Sequence, residues 1–343
     1  MKFRTIGVFL PILICFSLLS SCMSKRVIWD EVISPERLQN RLSIFNDWFQ
    51  KHTGNSKVEA RLTRDAEWTR IGVFAKEALN MDDVYLNLDR SKLIKADLIY
   101  DTKIAPLIKN LEETYGYDDY TNMVFYLLHE MSNKDSQWKP YLDLLPHQFT
   151  SVVFNYWNRK TWIEEELANT PTLSKAYITI EKIVDYKLLL QKKASNYFHA
   201  LVKNNTDVFD TNFFNEENLE WACMILDTRV IYIDYEAFLV PMLDFENFDT
   251  QQEVFKAKFD ESYQKSEIKA RSSVKADEQI FRNIGFNNEN YLLYHGIVLK
   301  DNPQDCYSLS LSFSERKDDN LKTNRAQFFA RYFLFDKTGS DQM

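Results

Sequence analysis

Glycine is scarce in this chain: seven residues among 343, about 2% where an ordinary protein carries ~7%. Turns that need a left-handed backbone must therefore fall on Asn or Asp, or be built another way. Cysteine is scarce as well. Cys15 and Cys22 lie in the N-terminal stretch, leaving Cys223 and Cys306 as the single possible pair, read here as two buried free thiols. No C-x-x-C occurs, and neither does a Cys/His cluster at zinc spacing, so no metal is expected. His129-Glu130 has no second histidine four residues after the first, which excludes a zincin helix. Gly-x-Ser-x-Gly, a phosphate loop and a dinucleotide fingerprint are absent too. Positive charge is in deficit: 42 Lys and Arg against 50 Asp and Glu, a net charge of -8, so no nucleic-acid partner is expected. The charge runs Asp118-Asp119 and Glu164-Glu165-Glu166 read as solvated faces.

With 45% hydrophobic and 15% aromatic residues, the chain has ample material for a core. Met1-Lys2-Phe3-Arg4, an apolar stretch from Ile6 to Leu19 and then Ser20-Ser21-Cys22 have the form of a leader. Residues 1–24 are therefore expected to be a signal peptide or a membrane anchor, with attachment through residues 6–19. That places the protein in a secretory pathway or on a membrane, or in the cytosol if the start is mis-assigned. Asn204-Asn205-Thr206 is a glycosylation sequon, of use only in a secretory pathway.

Ser34-Pro35-Glu36 reads as a helix start, and Leu38, Leu42, Phe45, Trp48 and Phe49 follow at helical spacing. Short β-like runs come next: Val58–Leu62, Ile71–Ala75 and Val84–Leu88. Helical periodicity returns at Ile104, Leu107, Ile108 and Leu111, and again at Val124, Leu127, Leu128 and Met131. A long helix is expected over about 174–203 and another over 219–226. Strand candidates then resume at Val254-Phe255, Ile268–Ala270 and Gln279–Phe281. Two β-rich ends flank a helical middle, the pattern of one α+β domain with a helical insertion.

Several segments, in order, resemble SET-domain proteins of the Rubisco large-subunit lysine methyltransferase and actin-histidine methyltransferase subclass. Gly72-Val-Phe-Ala75-Lys-Glu-Ala78 is similar to the first cofactor loop. Tyr126-Leu-Leu-His-Glu130, with Ser136-Gln-Trp138-Lys-Pro140-Tyr141 and Leu145-Pro146, resembles the insertion of this subclass. Leu219-Glu-Trp221-Ala222 with Thr228-Arg229 resembles its helix ending in Ser-Arg. Pro241-Met-Leu-Asp244-Phe-Glu-Asn247-Phe248 resembles P-x-x-D-x-x-N-H. Asn283-Ile284-Gly285 through His295-Gly296-Ile297 resembles N-Y-G…Y-G-F, closed by Asn302-Pro-Gln-Asp305. The matches cover about residues 38–310.

The resemblance implies an α+β SET domain of short β-sheets over 38–310, with a large helical insertion at about 101–226. It further implies that residues 311–343 are the truncated start of a helical substrate-binding domain. It also implies S-adenosylmethionine as cofactor and a protein as substrate or partner, with a lysine or histidine receiving the methyl group. Ile71 and Gly72 would lie along the cofactor, Arg229 would meet its carboxylate, and Asp244 and Asn247 would support it. The sequence departs from the pattern at Arg70 for the first loop glycine, Phe248 for the histidine, Ile284 for the catalytic tyrosine and His295 for a second tyrosine. No residue is thus assigned a catalytic role. Two readings stay open: a protein N-methyltransferase, or a catalytically inactive SET module (a pseudoenzyme) that binds a protein partner.

Overall fold

The computed structural model describes residues 34–53, 56–64, 69–146, 149, 192–251 and 253–306. The leader, the first part of the long helix expected over 174–203 and the segment 311–343 lie outside the described residues. Among the described residues, no helix is long and apolar enough to cross a membrane.

The chain enters through α1 (Pro35–Thr53), where Ser34 Oγ accepts a hydrogen bond from the Arg37 amide and Pro35 stands at the first helical position. Leu42, Phe45 and Phe49 form the buried face. The next strands are β1 (Val58–Arg64), β2 (Thr69–Ala75) and β3 (Val84–Asp89). Two 3₁₀ turns lead to α2 (Ala105–Tyr115), α3 (Asp119–Ser132) and the short α4 (Lys139–Leu142). Helix α5 covers 192–204 and α6 runs Glu216–Arg229, capped by the Asn215 side chain on the Asn218 amide. Strands β4 (Ile231–Ile233), β5 (Glu236–Phe238), β6 (Asn247–Phe248), β7 (Lys265–Lys269) and β8 (Gln279–Arg282) precede α7 (Asn288–His295). Val254-Phe255, expected as a strand, makes a single bridge from Val254 to Asn283 instead, because too few neighbouring residues pair to extend it.

The strands form three small sheets: β1-β2-β8-β6, β3-β7 and β4-β5. Only the β6–β8 pair is parallel. The glycine deficit shows in the turns. Seven described non-glycine residues have positive φ, and four of them are Asp82, Asp234, Asp277 and Asp301, the residue type that tolerates this region.

The Ser-x-Trp-x-Pro-Tyr segment turns out to be a packing device. Ser136 Oγ donates to Glu130 Oε2 at 2.5 Å, and Trp138 Nε1 donates to the Tyr126 hydroxyl at 2.9 Å. Trp138 and Tyr141 are both fully buried. Phe45 of α1 meets Phe245 edge-on at 5.3 Å, joining the entry helix to the turn before β6.

Edge strand β1 is covered by a side chain acting as a strand. Asn46 of α1 donates from Nδ2 to the Ala60 carbonyl at 2.8 Å and accepts from the Ala60 amide at 2.9 Å. The same pairing that a neighbouring strand would offer is thus made by one amide. Asn46→Ala is expected to lower stability by about 1–3 kcal/mol by stripping both bonds; urea unfolding would show the midpoint fall, and an unchanged midpoint would deny the edge-capping role.

Candidate functional site

The site is built on the turn between β5 and β6. Met242 takes φ 77°, and a 3₁₀ turn at Leu243–Phe245 aims the Asp244 side chain into the interior, where it has no exposure. Tyr141 from α4 donates its hydroxyl to Asp244 Oδ2 at 2.7 Å. Arg229, the last residue of α6, donates from Nη1 to the same oxygen at 3.3 Å and to the Asp244 carbonyl at 3.1 Å. Its guanidinium also lies over the Phe245 ring at 5.4 Å. Burial pushes the Asp244 carboxyl up, opposed by Arg229 and the Tyr141 hydroxyl, while burial also lifts the Tyr141 phenol well above its ordinary value. Arg229 keeps Nε, and Asp244 keeps Oδ1, without a hydrogen-bond partner among the described residues.

Three residues further on, Asn247 Nδ2 donates to the Ile71 carbonyl of β2 at 3.3 Å. Two contacts thus link the named residues in pairs, Arg229 with Asp244 and Asn247 with Ile71. Gly72 follows Ile71 in the middle of β2. A Cβ there would stand 2.7 Å from Thr63 Cγ2 and 2.8 Å from Gln279 Nε2, so a larger residue would have to displace those two side chains. Arg70, two residues earlier, is exposed, and its carbonyl accepts from Thr63 Oγ1 at 3.3 Å.

Ile284 stands in the segment between β8 and α7. Its amide donates to the hydroxyl of the fully buried Tyr291 at 3.4 Å, and Tyr291 donates to Asn283 Oδ1 at 3.5 Å. Phe248 packs against His295 at 4.6 Å and Tyr291 at 5.4 Å. His295 Nδ1 lies 3.0 Å from the Thr228 carbonyl, tying α7 to the end of α6. Phe248 and His295, substituted relative to the motifs, are thus in direct contact with each other. Gly285 has φ 73° with Val254 pressed against it, and Gly296 closes α7 in the left-handed region.

Sequence reading missed a second buried charged group beside the first. Tyr85 of β3 donates to Glu246 Oε1 at 2.6 Å, and Arg282 of β8 lies over Phe248 at 5.5 Å and Phe255 at 5.6 Å. The signal was available. Period-2 alternation in Gln279–Arg282 puts Arg282 on the same inward face as Ile280, an unusual place for a cation.

This arrangement has the SET-domain fold: the chain superimposes on a structure of Rubisco LSMT bound to AdoMet with a TM-score of 0.60, at 21% identity, over 88% of this chain and 65% of that one. Its sequence is similar to the same subclass that the motifs indicated. It is 24% identical to the chloroplastic ribulose-1,5-bisphosphate carboxylase/oxygenase large-subunit N-methyltransferase of Pisum sativum over 320 residues, 87% of this chain and 60% of the relative. It is 22% identical to the actin-histidine N-methyltransferase of Dasypus novemcinctus over 267 residues, 76% of this chain and 43% of the relative. The chain thus spans about 60% or less of the length of these relatives. No family model matches the chain.

Glu246 yields a pH signature. Burial raises its carboxyl to about 7, with Arg282 and the Tyr85 hydroxyl opposing the rise. The folded state therefore binds this proton more tightly than the unfolded state, whose carboxyl titrates near ~4.3. Its contribution to stability is greatest below that lower value and is lost as pH climbs to about 7. The loss should amount to roughly 3 kcal/mol. Glu246→Gln is expected to flatten this limb in denaturant unfolding measured from pH 5 to 8; an equally steep limb in the variant would remove Glu246 from the account.

Proposed function

We propose that this chain is an S-adenosylmethionine-dependent protein N-methyltransferase of the SET type, acting on a lysine or histidine side chain of a protein. One observation supports the reading: Arg229 bonds to Asp244, and three residues on Asn247 bonds to the Ile71 carbonyl 176 positions away, next to Gly72 in β2. The residues suit the cofactor's chemistry. Its amino-acid tail is a zwitterion, and Arg229 and Asp244 supply the complementary charges, a cation for its carboxylate and an anion for its ammonium. The Ile71 carbonyl and the Asn247 amide supply further polar contacts beside them. When bound, the cofactor would supply a methyl group on a sulfonium centre. The chain's part is to hold the tail, exclude water with the rings of Phe245 and Phe248, and present a neutral amine or imidazole in line. The likeness to methyltransferases over most of the chain supports the same reading.

A second reading is favoured by Ile284. An aliphatic side chain stands where the motif places a tyrosine, and Phe248 is apolar where the motif has histidine. A positioned hydroxyl is worth ~10²–10³ in rate when it acts as other aligned donors do. On this reading the module holds cofactor or a protein partner in its groove without turnover. The leader reading of residues 1–24 places either form in a secretory pathway or on a membrane, and N-terminal sequencing of the expressed protein would detect cleavage.

Calorimetric titration with S-adenosylmethionine is expected to show saturable binding, weakened at least about ten-fold by Arg229→Met. Incubation of a lysate with methyl-labelled cofactor is expected to label a protein. Binding without labelling assigns the second reading, and Ile284→Tyr should then restore labelling if the hydroxyl alone is missing. Absence of binding at millimolar cofactor contradicts the methyltransferase reading outright.

A further inference from the structure

Asn204-Asn205-Thr206 is the one Asn-x-Ser/Thr sequence in the whole chain, and nothing in the proposed cofactor site involves it. It falls where α5 ends: Asn204 is the last helical residue, and Thr206 opens the turn that follows. Ala194, Tyr197, Phe198, Leu201 and Val202 recur at helical spacing and form the buried face of α5. The Phe198 ring stacks 6.3 Å from Phe125 of α3, and the Tyr197 hydroxyl donates to the Gly116 carbonyl, so the helix is held from one side. Its end is tied down as well. Asn205 Nδ2 donates to the Leu201 carbonyl at 2.7 Å, and the amide of the buried Phe209 donates to the Asn205 carbonyl at 3.0 Å. Asn204 and Thr206, the two residues that define the sequon, are left exposed on either side of this anchor. Asn204 Nδ2 donates to the Ala200 carbonyl at 3.0 Å. A primary amide carries two N–H bonds, and attachment of a sugar consumes one. The other remains to serve the Ala200 carbonyl, so the helix end keeps its contact.

We propose that Asn204 is an N-glycosylation site, and that the domain carrying it faces the lumen of a secretory compartment or the cell exterior. The inference rests on the leader reading of residues 1–24 and is independent of whether methyl transfer occurs. The donor is an oligosaccharide carried on a lipid diphosphate. The Asn204 amide nitrogen bonds to the anomeric carbon of the sugar. The anomeric C–O bond breaks, the lipid diphosphate leaves with its electron pair, and the amide gives up one proton. The Thr206 hydroxyl, two residues on, is the group by which the transferring enzyme selects this asparagine. Lys203 and Asp207 beside the sequon are exposed too, so the sugar extends into solvent and not into the core.

Expression of the full chain from Met1 in a eukaryotic secretory cell tests the proposal. Peptide-N-glycosidase is expected to lower the apparent mass in one discrete step and to convert Asn204 to Asp, read by mass spectrometry of the peptide that carries it. Asn204→Gln and Thr206→Ala should each abolish the step, and Thr206→Ser should retain it. The peptide measurement is made on the unaltered chain, so it decides even where a variant fails to fold. A chain without the glycan overturns the proposal, and N-terminal sequencing then tells two cases apart. A removed leader leaves the leader reading standing without Asn204; an intact leader on a cytosolic chain removes both. A mass step that persists in Asn204→Gln would also overturn the assignment. Cofactor titration of the same purified chain reports on the methyltransferase reading separately.

Discussion

Asp244 carries a carboxylate with no exposure to solvent, and three separate parts of the chain converge on it. Tyr141 arrives from the helical segment between β3 and β4, Arg229 from the end of α6, and Asp244 itself from the strained turn after Met242. A charge in that position is tolerable only while its partners hold it, because an isolated buried carboxylate would cost several kcal/mol. Removing either partner therefore affects more than one bond. It loosens the turn that carries Asn247 to the Ile71 carbonyl. The helical segment and the small sheets are tied together here by electrostatics as much as by apolar packing.

A second buried pair lies two residues along the same segment. Asp244 and Glu246 flank Phe245 and face different partners: Arg229 and Tyr141 for the first, Arg282 and Tyr85 for the second. Phe248 then covers Arg282 and touches His295. Phe248 is a ring that shields a buried cation, and His295 is an imidazole that reaches the α6 terminus. Read singly, each departure from the motif looks like damage. Together they form one repacked corner.

Much of this fold was legible in the sequence. Apolar spacing located α1 through Leu42, Phe45 and Phe49, and the short β-runs located β1, β2 and β3 to within two residues. The motifs named Arg229, Asp244 and Asn247 as residues of a cofactor site, and Arg229 and Asp244 are in contact. They did not disclose that Tyr141, part of what reads as a packing motif, delivers its hydroxyl to Asp244. That contact spans 103 positions and has no local signature. Arg282 escapes for a different reason: the expected strand, Gln279–Phe281, stops one residue short of it, and the observed strand runs on through Arg282. The bridge at Val254 was overread as a strand because β-propensity reports a residue's fit to a pleated surface, not the presence of a neighbour to pair with.

The central claim is that Arg229 and Asp244, with Ile71 and Asn247, form the seat of a sulfonium cofactor's amino-acid tail. A crystal structure grown with S-adenosylhomocysteine tests it most directly. The account predicts the tail carboxylate against the Arg229 guanidinium and its ammonium against Asp244. The product bound elsewhere on the domain, with Arg229 and Asp244 still paired only to each other and to Tyr141, would contradict it.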